Sequence, residues 1–240
     1  MGKTPATSPS PVREAWAAVR AVRVPFVAIQ IAMLMIALAY ALSPAVRDSL
    51  AGLAAFRERG GMPFAAVGMI LSGLALPEIA RRVSRLRPEV TGGRVLLLYV
   101  VYFGALGAMV AGFYQGMAHV LGDAQSLGGI AARLVLDLAV FSPLISIPLA
   151  TLVFAWRDAE FRTSGVIAEA RTGELRGRYL RLLVSCWLFW GPVLIAVYAV
   201  PLGLQFPLAL VAEAAWALMM LALERREAGP LPTSGIEAVA

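Results

Sequence analysis

The sequence predicts an all-α fold: a polytopic membrane helix bundle of about six transmembrane helices, with both termini on the cytoplasmic or matrix side. Three observations predict it. Of 240 residues, 60% are hydrophobic and only 15% charged, against about 25% charged in soluble domains, and the mean hydropathy is +0.76. The charge-free runs match the roughly 20 residues that cross a bilayer as a helix. The basic residues fall almost entirely into alternate connections.

The spans follow from the gaps between charges. Residues 24–46 carry none and predict a first span at about 24–43. Residues 60–77 predict a second at about 62–80, entered through Pro63. The run 95–122 predicts a third at about 95–118, and 138–156 a fourth at about 134–156. From 182 to 223 a single acid, Glu213, interrupts a stretch twice the length of a crossing. Its middle contains Pro201, Gly203 and Pro207, which stop helices and make turns. Two helices are therefore expected, at about 182–200 and 205–223. The connector 157–181 mixes four acids with six arginines and predicts one or two surface helices.

Orientation is read from the basic residues. With six crossings, segments 1–23, 81–94, 157–181 and 224–240 hold 17 of the 21 Lys and Arg, and the opposite connections hold four. Cytoplasmic loops are enriched in these residues, so the arginine-rich side is expected to face inward. Residues 1–23 form a basic polar tail. Their Arg- and Ser-rich, acid-poor composition also fits an organelle-targeting peptide. Residues 224–240 form a polar C-terminal tail.

Several chemistries are excluded or disfavoured by inventory. One cysteine, Cys186, allows no internal disulfide framework or multi-cysteine metal site. One histidine, His119, disfavours zinc catalysis and a Ser-His-Asp triad. No nucleophile–base pair or phosphate loop is evident, so no enzyme activity and no cofactor are expected. The net charge of +6 sits beside apolar runs and is assigned to membrane orientation, not to nucleic acid.

Inside the spans two kinds of signal stand out. Gly104, Ala108, Gly112 and Gly116 recur every four residues, a spacing that lets helix backbones approach closely. Gly68 and Ser72 repeat it over one turn. Pro143 and Pro148 predict a kinked fourth helix, whose freed carbonyls need partners. Polar groups at membrane depth cost about 2.5–3.5 kcal/mol when charged and usually face the bundle interior. The candidates are Asp137, Glu213, Gln205, Tyr114 and Glu78. Gln205, Ala209, Glu213 and Ala217 share one helical face beside Trp216. Asp137 lies one turn after Arg133, and an ion pair between them is expected. Glu78 precedes Arg81 and Arg82 and is expected to close a helix-end salt bridge.

In order along the chain stand Pro63, Glu78 and Arg82; Arg94, Gly104, Gly107-Ala108 and Phe113-Tyr114; Asp137-Leu138 and Ser142-Pro143; and Trp187/Trp190, Val200-Pro201, Gln205 and Trp216. This series resembles the family of small integral membrane proteins named after the Mpv-seventeen protein and the twenty-two-kilodalton peroxisomal membrane protein. It covers about residues 63–223. The sequence departs from the family pattern at Ala108, Leu138, Val193, Ala196 and Gln205, where the family has proline or larger polar groups. The span at 24–43 is an N-terminal addition. The resemblance implies a multi-pass protein of a mitochondrial inner, peroxisomal or related membrane, acting as a weakly selective small-solute channel or in membrane homeostasis. It implies no catalytic residues.

Two functions are therefore weighed. A small-solute channel would place Asp137, Glu213, Gln205 and Tyr114 along a path between spans. A non-conducting scaffold or assembly factor would use the small residues for packing and bind a partner through 157–181 or the N-tail. The bilayer is the certain partner, a small solute follows if the chain conducts, and self-association into a homo-oligomer stays open. A bacterial inner membrane and an organellar membrane fit equally. Single cysteines introduced near Arg85 and Arg171, in a background lacking Cys186, should both be labelled by an impermeant maleimide from the same side of the membrane; labelling from opposite sides would contradict the six-crossing arrangement.

Overall fold

The computed structural model describes residues 23–84, 86–122 and 126–227, together with Arg13 and Arg20. The expectations for the N-terminal tail, including a targeting peptide, and for the C-terminal tail beyond Glu227 fall outside the described residues. Among the described residues there is no strand. Six helices are long and apolar enough to cross a membrane. They are α1 (Arg23–Leu42), α2 (Pro44–Val83), α3 (Gly93–Leu121), α4 (Leu127–Asp158), α6 (Glu174–Tyr198) and α7 (Leu202–Glu227), with the short α5 (Thr163–Thr172) between α4 and α6. The fold is an all-α polytopic bundle.

The connections sort to two ends. At one, Arg157 of α4 pairs with Glu89 between α2 and α3, and Arg178 of α6 pairs with Asp158. This is the arginine-rich end. At the other, the Arg133 guanidinium donates to the Gly122 carbonyl, and a Cβ at Gly203 would meet Ala54 and Glu58 at 3.0 and 3.2 Å. Many large apolar side chains point outward, including Ile31, Leu34 and Met35 of α1 and Leu144 of α4, as a lipid-facing surface requires.

Helix α2 begins earlier than the charge pattern suggests. Ser43 caps it, its Oγ accepting from the Val46 N–H at 3.4 Å, and Pro44 occupies the first turn, where its missing N–H costs nothing. The first limb, 44–60, is helical although it holds Arg47, Asp48, Arg57, Glu58 and Arg59. It is no simple loop: Leu50 and Ala54 pack on the core. The axis breaks at Gly61, which has φ 51° and ψ −137°, a left-handed backbone that favours glycine. Pro63 follows, and the second limb is the predicted crossing.

Close approach is real but falls on a different stripe from the one expected. The tightest contact between α2 and α3 is at Gly107, where an added Cβ would strike the Ala65 carbonyl and the Met69 side chain. Ala111 and Ala65 are buried beside it. Gly104 also faces α2, at Ile70, and Gly112 meets only Met62. Ala108 is half-buried, and a Cβ added at Gly116 would meet no neighbouring atom within 4 Å. The stripe is thus offset by one residue because α3 presents Gly107, Ala111 and Tyr114 inward. Gly68 packs against Leu210 of α7, not against α3.

Two helices widen into i→i+5 turns: α2 over Leu71–Ala75 and α4 over Asp137–Ser146. In α4 the reason is Pro143. It cannot donate, so the Leu138 carbonyl five residues back lacks its expected partner. The Trp187 indole N–H of α6 donates to it instead, at 2.8 Å. The predicted kink is present as this wide turn. α6 and α7 are separated by a turn at Val200-Pro201, but Pro207 lies inside α7 and the last helix starts at Leu202, three residues before the expected boundary. Substituting Gly107→Val should destabilise the protein by about 1–3 kcal/mol through overpacking, while Gly116→Val should stay within about 0.5 kcal/mol. Thermal unfolding in detergent measures both.

Candidate functional site

A cavity of about 440 Å³ runs inside the bundle, a volume in the range of small-molecule sites. Five helices wall it: α2 through Met69, Gly73 and Leu74; α3 through Tyr99, Tyr102, Phe103, Leu106, Val110 and Tyr114; α4 through Asp137, Phe141, Ser142 and Ser146; α6 through Cys186 and Trp190; and α7 through Ala209, Glu213, Trp216 and Ala217. On α3 these positions recur at three- and four-residue steps, the repeat of one helical face. No residue of α1 lines it.

The cavity reaches inward from the arginine-rich end and stops short of the other. At its arginine-rich end it is bounded by Glu78, Arg81 and Glu89. From Tyr99 to Tyr114 the helix rises about 22 Å at 1.5 Å per residue, so the innermost wall lies well within the hydrocarbon. Among the described residues, none beyond Tyr114, Asp137 and Leu194 lines it. There the Tyr114 and Tyr198 rings meet edge-on at 5.5 Å, and Tyr198, Val197, Ala111 and Phe206 are buried as solid core.

Asp137 sits at this floor and is 6% exposed. The Ser142 hydroxyl donates to its Oδ1 at 3.2 Å, and the Tyr198 hydroxyl donates to Oδ2. Ser142 reaches it because the wide turn of α4 brings residues five apart onto one face. The expected ion pair with Arg133 does not form. Arg133 is 1% exposed and turns back to the Gly122 carbonyl at the end of α3, where the partial negative charge of a helix C-terminus attracts it.

Glu213 projects from the middle of α7 into the cavity. It has no hydrogen-bond or ion-pair partner among the described residues. Ala209 and Ala217, one turn to either side, also line the cavity, as does Trp216, whose ring lies 4.7 Å from that of Phe189. The predicted face of α7 is therefore a cavity wall, with one exception. Gln205 is 1% exposed and donates to the Val200 carbonyl at 3.1 Å. It is spent on the α6–α7 turn and does not line the cavity. The turn leaves that carbonyl without a helical partner, which the amide supplies.

A polar collar surrounds the arginine-rich mouth. Glu78 pairs with Arg82 at 3.1 Å, as expected, and also accepts from the Glu89 and Val90 backbone N–H groups at 3.1 and 3.4 Å. Glu89 in turn receives Arg81 at 3.3 Å, Arg157 at 2.7 Å and the Tyr99 hydroxyl at 2.8 Å. Arg157 also binds Asp158, which holds Arg178. Sequence reasoning missed Glu89, Tyr99 and Arg157. Their only signal was proximity to a span end, shared by every other charged residue there. It missed the aromatic wall as well, since aromatic residues are common on lipid-facing and packed faces alike.

No protein-family model, curated protein or solved structure matches this chain. Fold and cavity together define a multi-pass α-helical membrane protein with an internal chamber that reaches in from one end of the bundle. Tyr198→Phe should lower stability by about 1–3 kcal/mol, since it withdraws a donor from a buried acceptor. Ser146→Ala, on the cavity wall, should cost less than about 0.5 kcal/mol. The shift in unfolding midpoint in detergent distinguishes them.

Proposed function

We propose that this protein is a small-solute conduit of its membrane, a weakly selective channel whose path is the internal cavity. One observation carries the reading: a chamber of about 440 Å³ reaches from the arginine-rich end to Asp137 and Tyr114 at membrane depth. A bundle serving packing alone has no use for such a space, since empty volume forfeits contacts. Asp137, Glu213, Tyr114 and Glu78 line it, whereas Gln205 does not. The Tyr114–Tyr198 contact is the barrier that opens when a solute passes. The resemblance to the Mpv-seventeen family points the same way. By the positive-inside rule the chamber faces the cytoplasm or its organellar equivalent, and the protein resides in a bacterial inner membrane or an organellar one.

The test is solute entry into proteoliposomes. Glycerol or erythritol should enter vesicles holding the folded protein at least about tenfold faster than empty ones, the factor equivalent to about 1.4 kcal/mol of barrier. A cysteine at Ser146, in a Cys186→Ser background, should react with a charged methanethiosulfonate applied at the arginine-rich side and not at the other. A folded protein that admits no solute and shields Ser146→Cys from both sides would sink the conduit and favour the non-conducting scaffold.

A further inference from the structure

The chemistry of the cavity wall narrows the solute, given the reading of this chamber as the solute path. Beyond the mouth, the ionisable carboxyls lining it are Asp137 and Glu213, and among the described residues no arginine, lysine or histidine lines it there. The basic group on its boundary, Arg81, is engaged by Glu89. Nearby Arg157 is held by Glu89 and Asp158. The two arginines nearest the cavity are thus already engaged by carboxylates.

The two carboxyls differ in what they have left to offer. Both oxygens of Asp137 already accept hydrogen bonds, from Ser142 and Tyr198. Glu213 has no partner among the described residues, yet it stands at the middle of a membrane helix. A carboxyl held at that depth without a partner costs several kcal/mol if ionised, and a cationic ligand is the partner that would offset this. Around it the wall is aromatic. Tyr102 lies within electrostatic reach of Glu213. Phe103 and Phe154 each contact the Tyr102 ring edge-on, with centroids 5.0 and 5.6 Å away. Trp190 and Trp216, both against Phe189, also line the cavity. Aromatic faces attract organic cations whose charge is spread over carbon-bound substituents, by about 2 kcal/mol or more once water is excluded. Apart from the carboxyls and tyrosine hydroxyls, an inorganic cation would find few oxygen ligands here, since the remaining wall is Leu, Ile, Val, Ala, Gly, Pro and Met with one cysteine and two serines.

We propose that the chamber selects organic cations with an apolar body, an amine or quaternary ammonium compound, and that Glu213 is the residue that binds the charge.

The full-length protein in nanodiscs is titrated with benzyltrimethylammonium, with its neutral carbon isostere and with benzenesulfonate, empty nanodiscs serving as blank. Binding is read by calorimetry. The ammonium should bind at least about tenfold more tightly than the isostere or the sulfonate, since about 1.4 kcal/mol of cation–aromatic and charge attraction suffices for that. Glu213→Gln should abolish that preference and leave the isostere's affinity unchanged. Equal affinity of ammonium and isostere in the wild-type protein overturns the proposal, whether or not the variant folds, and so does a folded Glu213→Gln protein that keeps the preference. Glycerol entry measured on the same preparations separates the two readings. Entry without cation preference overturns the cation alone, whereas the absence of both entry and probe binding overturns the conduit with it.

Discussion

The architecture depends on how α4 satisfies its backbone in a solvent that offers no hydrogen bonds. Pro143 removes one donor, and in hydrocarbon the orphaned Leu138 carbonyl would cost several kcal/mol. Inside the ten-residue wide turn that carries Pro143, Asp137 aligns with Ser142 and the Leu138 carbonyl accepts from Trp187. That single repair fastens α4 to α6 and aims Asp137 at Tyr198. It also turns Phe141, Ser142 and Ser146 toward the chamber. A straight α-helix would rotate Ser142 about 140° away from Asp137 at about 100° per residue, and the floor of the cavity would lose its hydroxyl donor.

Two kinds of helix contact shape the chamber. At the α2–α3 and α2–α7 contacts, small residues let the helices close up: Gly107 and Ala111 on α3 beside Ala65, and Gly68 against Leu210. Toward the arginine-rich end, Tyr99, Tyr102, Phe103 and Phe154 meet edge-on. Rings in that geometry hold helices apart while still making favourable contacts. Because lipid is as apolar as the core, such packing and the few buried hydrogen bonds, not burial of apolar surface, decide which helix faces touch.

The collar shows how charge is handled where the chamber meets the interface. Glu89 gathers Arg81, Arg157 and Tyr99, while Glu78 holds the backbone at 89–90. Exposed pairs of this kind contribute little singly. Linked as a network, they tie the α2–α3 connection to the end of α4 and fix the shape of the mouth. The chamber's chemical character is thereby left to Glu213 and the aromatic wall.

Much of the fold was readable from the chain. Charge spacing located six crossings, since a bilayer demands about 20 apolar residues per helix whatever surrounds it. Arginine asymmetry sorted the connections, Pro143 marked the distorted helix, and the four-residue repeat of Ala209, Glu213 and Ala217 marked a wall. Which face meets which was decided only by tertiary structure. In lipid both the inward and outward faces of a helix are apolar, so hydropathy carries no direction. Hence Gly107, not Ala108, makes the close approach. Gln205 closes a turn, Arg133 finds the end of α3, and residues 44–60 fold as a charged helix laid against the core. Each of these outcomes depends on a carbonyl or side chain contributed from a distant part of the fold, which local spacing does not encode.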